Sequence, residues 1–202
     1  MIDLLATFIA FFAVIDPIGT VPVFIAVTSG LGESEKRAVA FQATLVSAMI
    51  LVFFVLAGEL ILDAIGTPLS AFQIAGGIVL FLFALSMIFG ESKPEQEEKL
   101  VKSGREKAIF PLAVPSIASA GAMLAAVMQT ENEIFTLWEQ AQVMTMMVSI
   151  LLVAMLLMLA SSYVHRLIGR SGASVISRVM GLILASVAVT SVLAGIEAYF
   201  SL

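Results

Sequence analysis

The chain is 202 residues long, 60% hydrophobic and 12% charged, with a net charge of −5. A soluble domain carries about twice that charged fraction, and nucleic acid would require a basic surface that an acidic chain lacks. The absence of cysteine excludes disulfides, thiol chemistry and Cys-ligated metals.

Apolar stretches of about 20 residues, enough to cross ~30 Å of hydrocarbon as helix, recur along the chain. The first, near 3–29, has no Lys or Arg ahead of its apolar run. A signal peptide needs that basic start, so the stretch is read as a membrane helix. Its middle, "AVIDPIGTVPVF" (13–24), carries a charge, two prolines and a glycine. The second span lies near 38–62, and "GTPLS" (66–70) punctuates the way to the third, near 69–89. A charged connector, 90–107, is expected to be solvated. The fourth span lies near 108–129 and is followed by "QTENEIFTLWE" (129–139), a purely acidic loop with Trp138 as an interfacial anchor. The fifth and sixth spans lie near 139–162 and 175–200, separated by a loop at 163–174. The expected fold class is all-α, a single integral membrane domain of six transmembrane helices over residues 1–202.

All ten basic residues fall in or beside the odd-numbered loops: Lys36 and Arg37; Lys93, Lys99, Lys102, Arg105 and Lys107; Arg166, Arg170 and Arg178. The excess of Lys and Arg marks the cytoplasmic side. The expectation is therefore a multi-pass protein of the cell membrane with loops 30–37, 90–107 and 163–174 inside and both termini outside.

The two halves resemble each other. Gly76, Ile78, Ser86 and Gly90 match Gly181, Ile183, Ser191 and Gly195 at an offset of 105, and an offset of 103 sets Asp16 opposite Ser119. Three spans per copy invert the second copy in the membrane, so repeats at about 1–90 and 108–202 would form an inverted repeat around the connector 91–107, an architecture of secondary transporters.

Asp16-Pro17 is the order of a helix start, with Asp as N-cap and Pro in the first turn. The first span is thus expected to be two half-helices, loosened further by Gly19 and Pro22. Ser119 would cap the matching break in the fourth span, with Gly121 as its flexible position and Pro111 and Pro115 bending the first half. Broken backbone at membrane depth persists only inside protein or along a wet cavity. Two half-helix N-termini meeting at the midplane would seat a carboxylate, and Asp16 would face an ammonium group or a coupling cation, either Na+ or H+. A small zwitterion fits that pairing. The bland alternative is that Asp16 merely caps a kinked helix, although intramembrane carboxylates are functional by default. Gln73, Thr20 and Ser116 are candidates to line the cavity with Asp16, Pro17, Gly19, Pro22, Pro115, Ser119 and Gly121; Gln42 and Ser86 are weaker ones. Gly76, Gly77, Pro111 and Gly181 read as packing or hinge positions. The methionines at 144, 146, 147, 155 and 158 are apolar filler rather than metal ligands.

The stretches "IDPIGTVPVF", "AGGIVLFLFALSMIFG", "FPLAVPSIASAGAM" and "MGLILASVAVT" resemble the MarC family of six-span bacterial and archaeal membrane proteins, and the resemblance covers nearly the whole chain. It implies a secondary carrier of small neutral amino acids such as glycine and alanine; alternating access, no cofactor, and the lipid bilayer and a homo-oligomer as partners are the accompanying expectations. Asp16, Pro17, Gly19, Pro22, Gly76, Gly77, Pro111 and Pro115 match the family pattern. Where that pattern reads Ala-Gly-Pro-Gly-Ala in the fourth span, this chain has Ala118-Ser119-Ala120-Gly121-Ala122, a departure that bears on the pocket. An enzyme is not expected: there is no HExxH and only one midplane carboxylate. A non-transporting structural or regulatory membrane protein, or a channel for small solutes, is the alternative.

Overall fold

The computed structural model describes residues 3–28, 30–89, 108–130 and 135–200. The connector 90–107 and residues 131–134 of the acidic loop, for which solvent-exposed roles were expected, lie outside the described residues. In chain order the elements are α1 (Leu4–Ile15), α2 (Pro17–Val27), α3 (Glu33–Ala64), α4 (Leu69–Phe89), a proline segment (Ala108–Ile117), α5 (Ala120–Met128), α6 (Leu137–Leu159) and α7 (Ser161–Phe200). The fold is all-α, with no strand among the described residues. Five stretches, counting α1 and α2 as one, are long and apolar enough to cross a membrane; the bent pair 109–117 and 121–128 makes a sixth if it forms one span.

Local chemistry sets the helix ends. Asp3 caps α1 by accepting from the backbone N–H groups of Leu5 and Ala6 at 3.0 and 3.1 Å. Thr136 and Glu139 form a reciprocal capping box at the start of α6. Residues 163–174, expected to be a loop, instead belong to the first third of the 40-residue α7. The physical reason is the absence of any proline after Pro115: Gly169 and Gly172 weaken a helix by about 1 kcal/mol each but remove no backbone donor. A single residue, Ala160, separates α6 from α7.

The proline segment departs further from helix than the expected bend. Phe110 and Val114 are extended, with φ/ψ of −128/128° and −132/126°, because a residue preceding proline is driven out of the α region. Two such residues four apart unwind the first half of the fourth span.

The stretch 4–27 is the centre of the bundle. Its most apolar window is 72% buried, against 22–33% for the other four spans, which leave one face outward. It is enclosed by α5, α6, α7 and the proline segment. Phe11, Val14, Ile15 and Phe24 from this stretch pack with Leu112, Met147, Ile150, Leu151 and Leu184 in one core. The outer face of α3 shows Phe41, Leu45, Met49, Phe53, Leu56 and Leu60 at helical spacing, as a lipid-facing stripe does.

In lipid, helix association rests on close packing rather than on hydrophobic burial, so small residues mark the contacts. The antiparallel pair α4–α7 shows this reciprocally. A Cβ on Gly77 would meet the Ala188 carbonyl oxygen at 2.9 Å and Val192 at 2.7 Å; one on Gly181 would meet the Ala84 carbonyl oxygen and Ile88, each at 3.1 Å. Each residue of the first set has its counterpart in the second at an offset of 104, so the register is one residue shorter than the 105 expected from Gly76 and Gly181. Gly76 itself faces α5, against Met128 and Leu124. Gly77→Ala and Gly181→Ala should each destabilise the protein by about 1–3 kcal/mol, to similar extents because their surroundings correspond. Thermal unfolding in detergent measures this, and indifference to both substitutions would mean that the two helices lie farther apart.

Candidate functional site

Asp16 is the joint of the central stretch. Its φ of +47° is the only positive value at a non-glycine residue among those described, a conformation that Asp and Asn tolerate better than most. This turn lets one residue end α1 and begin α2. Its N–H closes α1 onto the Phe12 carbonyl at 3.0 Å, and its side chain caps α2 by accepting from the Gly19 N–H at 3.0 Å. Pro17 follows in the first turn, where a missing N–H costs nothing. Thr20, one turn on, returns its hydroxyl to the Asp16 carbonyl at 3.1 Å.

The second carboxylate oxygen, Oδ2, is also engaged: the Ser177 hydroxyl of α7 donates to it at 2.6 Å. Asp16, Thr20 and Ser177 are all completely buried. No ion pair reaches Asp16 among the described residues. Gly19 is required by this arrangement, because a Cβ there would lie 2.7 Å from both the Asp16 Cγ and the Ser177 Oγ.

The second break lies alongside the first. Ser119 is extended at φ −72°, ψ 161° and caps α5 through the Ala122 N–H at 3.1 Å. Its hydroxyl also lies 3.2 Å from the Val14 carbonyl, two residues before Asp16. Ser116 donates to the Thr20 hydroxyl at 3.3 Å, and Ser47 of α3 reaches the Ala113 carbonyl at 3.3 Å. Asp16, Thr20, Ser116, Ser119 and Ser177 thus form one buried polar layer drawn from four elements, α2, the proline segment, the start of α5 and α7. The positive ends of two helices, α2 and α5, point into it.

A cavity of about 340 Å³ runs down α1 toward this layer, lined by Thr7, Ala10, Val14, Leu80, Leu184 and Ser191 among others, with Asp3, Gln129 and Phe135 also on its wall. Val14 joins the two features: its side chain lines the cavity and its carbonyl meets Ser119. None of the residues expected to line a binding cavity lines this one. The physical reason is that the carboxylate and hydroxyls are already bonded to one another or to backbone carbonyls, which closes the layer. The central polar residues of the sequence reading, Asp16, Thr20, Ser116 and Ser119, do come together. Pro17, Gly19 and Pro22 are buried in α2, and Gly121 packs against Leu80, Phe83 and Val14. Pro115 is half-buried beside Ser116, Pro111 is buried, and both shape the proline segment. Gln73 is half-buried near the start of α4, with no hydrogen bond to the layer among the described residues. Gln42 is exposed, and Ser86 bonds its own helix at the Phe83 carbonyl. Met147 and Met158 are core filler, as expected. Among the described residues no group of three His, Cys, Asp or Glu side chains could hold a metal ion.

Sequence reasoning missed Ser47 and Ser177. A signal for the second existed: Ser177 follows Gln73 by 104 residues, the same offset that relates Gly77 to Gly181.

The description "MarC family integral membrane protein" matches residues 1–200. Similar proteins include a UPF0056 membrane protein of Methanocaldococcus jannaschii, 34% identical with 94% of each chain covered. The UPF0056 membrane protein YvbG of Bacillus subtilis is 33% identical, covering 96% of this chain and 93% of its own. A UPF0056 membrane protein of Archaeoglobus fulgidus is 31% identical, covering 95% and 91%. No solved structure matches. Because the match runs through the broken first span, the proline segment and α7 alike, the chain belongs to the MarC family of multi-pass integral membrane proteins.

Proposed function

We propose that this protein is a secondary transporter of small neutral amino acids, which bind at the buried polar layer and cross by alternating access. The observation that carries the reading is the meeting of two helix N-termini, those of α2 and α5, beside one buried carboxylate. A zwitterion places its carboxylate near the N-terminal dipoles and its ammonium on Asp16. The reciprocal α4–α7 contacts and the paired N-caps, Asp16 with Gly19 and Ser119 with Ala122, support an inverted repeat. The closure of the layer favours the competing reading, a non-transporting membrane protein, and uptake decides between them. Proteoliposomes should accumulate labelled glycine or alanine under an imposed sodium or proton gradient; no accumulation under either gradient would reject the proposal.

The distribution of Lys and Arg supports a cytoplasmic side that carries residues 30–37, 90–107 and the first third of α7, with external termini. The cavity along α1 then opens to the outside. The chain has no cysteine of its own, so single substitutions report cleanly. An impermeant thiol reagent added outside should label Leu137→Cys and spare Ser34→Cys. The reverse pattern would invert the protein.

A further inference from the structure

The central stretch is open on one side of its break and closed on the other. Above Asp16, Thr7, Ala10 and Val14 lie at helical spacing along the cavity. Below it, Asp16, Thr20, Val23 and Val27 share the corresponding stripe of α2, and all four are completely buried. The bond that spans this boundary is Ser177 to Asp16, 161 positions apart in the chain. The next residue of α7, Arg178, donates to the Ile88 carbonyl of α4 at 2.6 Å. Positions 177 and 178 therefore tie α7 both to the break of the central stretch and to the end of α4.

We propose that the Ser177 hydroxyl is the resident donor on Asp16 Oδ2 that an incoming ammonium group displaces, so that substrate binding and release of the closed side are one exchange. This rests on the transport reading above. Oδ1 is held within α2 by the Gly19 N–H, and that bond survives opening because both partners belong to one element. Oδ2 is held from another element, so its donor can be exchanged without unwinding α2. An ammonium satisfies Oδ2 at least as well as a hydroxyl does. Once it is seated, the Asp16 tie to α7 is lost. Without substrate, leaving Oδ2 unsatisfied inside the bundle is unfavourable, and the path stays shut. Ser177 is thus a positioning residue whose departure depends on the substrate's charge, and a solute lacking an amine would not release it.

Single-cysteine reporters test this in the full-length protein in proteoliposomes. Val23→Cys sits on the closed stripe and Ala10→Cys on the open wall. With Ser177 intact, a small maleimide should modify Ala10→Cys readily and Val23→Cys slowly, and alanine should raise the Val23→Cys rate. Ser177→Ala should raise that rate about tenfold or more without alanine, the population shift expected on losing one charge-assisted hydrogen bond. It should lower the Ala10→Cys rate in parallel. Ser177→Thr, which keeps the hydroxyl, should restore the slow rate, separating loss of the bond from general loosening. Unchanged rates in Ser177→Ala, or equal opening in Ser177→Ala and Ser177→Thr, would overturn the proposal. The Ser177→Ala arm needs no substrate, so failure of alanine to act while that arm responds would reject the amino-acid reading and leave the latch in place.

Discussion

Asp16→Asn should leave the protein folded and membrane-inserted while reducing amino-acid uptake at least about a hundredfold. Asn accepts the same left-handed backbone conformation and is as good an N-cap as Asp. Its carbonyl oxygen can take the Gly19 N–H, and its amide can donate to the Ser177 oxygen, a hydroxyl that both gives and accepts. Little of the local structure depends on the charge. The ammonium site does: removing one partner of a buried charged pair costs about 3–5 kcal/mol, more than a hundredfold in affinity. Asp16→Ala removes cap and charge together and cannot separate the two roles. Uptake normalised to folded protein is the measurement. Uptake by the Asn variant near that of the unaltered protein would return Asp16 to a purely structural role.

How far the sequence reaches into this site depends on the range of each interaction. The break at Asp16-Pro17 was legible because capping is local: a carboxylate, a proline and a glycine within four residues dictate the turn. Ser119 was legible for the same reason and because it aligns with Asp16 at an offset of 103 in the sequence. The unwinding at 108–117 was only half legible; each proline announces a bend, but the sum of two pre-proline restrictions appears only in the backbone. Ser177 is a long-range partner. Nothing next to it distinguishes it from Ser174 or Ser186, and its role follows from a helix crossing whose register the sequence comparison missed by one residue. A one-residue error turns a helix face by about 100° and sets Gln73 opposite Arg178 instead of Ser177. The loop expected at 163–174 failed differently: charge marks a side of the membrane, not the end of a helix.

Gly19 provides the sharpest test of the geometry, because a second glycine sits beside the other cap. Gly121 lies two residues after Ser119 and Gly19 three after Asp16, and composition alone would treat the two alike. Their surroundings differ. A Cβ on Gly121 would meet the ends of Leu80 and Phe83 side chains at 3.1 and 3.4 Å, and such ends can turn aside. A Cβ on Gly19 would meet the Asp16 carboxylate, which its own backbone bond and Ser177 hold in place. Gly19→Ala must therefore push the carboxylate off the cap, and both its hydrogen bonds go with it. The expected loss is about 3 kcal/mol, from overpacking and a buried acceptor left unsatisfied. For Gly121→Ala the smaller crowding is offset by the better helix propensity of alanine, about 1 kcal/mol, leaving stability nearly unchanged. Thermal unfolding of the two variants in detergent, with uptake measured alongside, should show Gly19→Ala destabilised and inactive and Gly121→Ala close to the unaltered protein. Equal behaviour of the two would mean that the Asp16 side chain does not lie across Gly19, and the closed layer would lose its anchor.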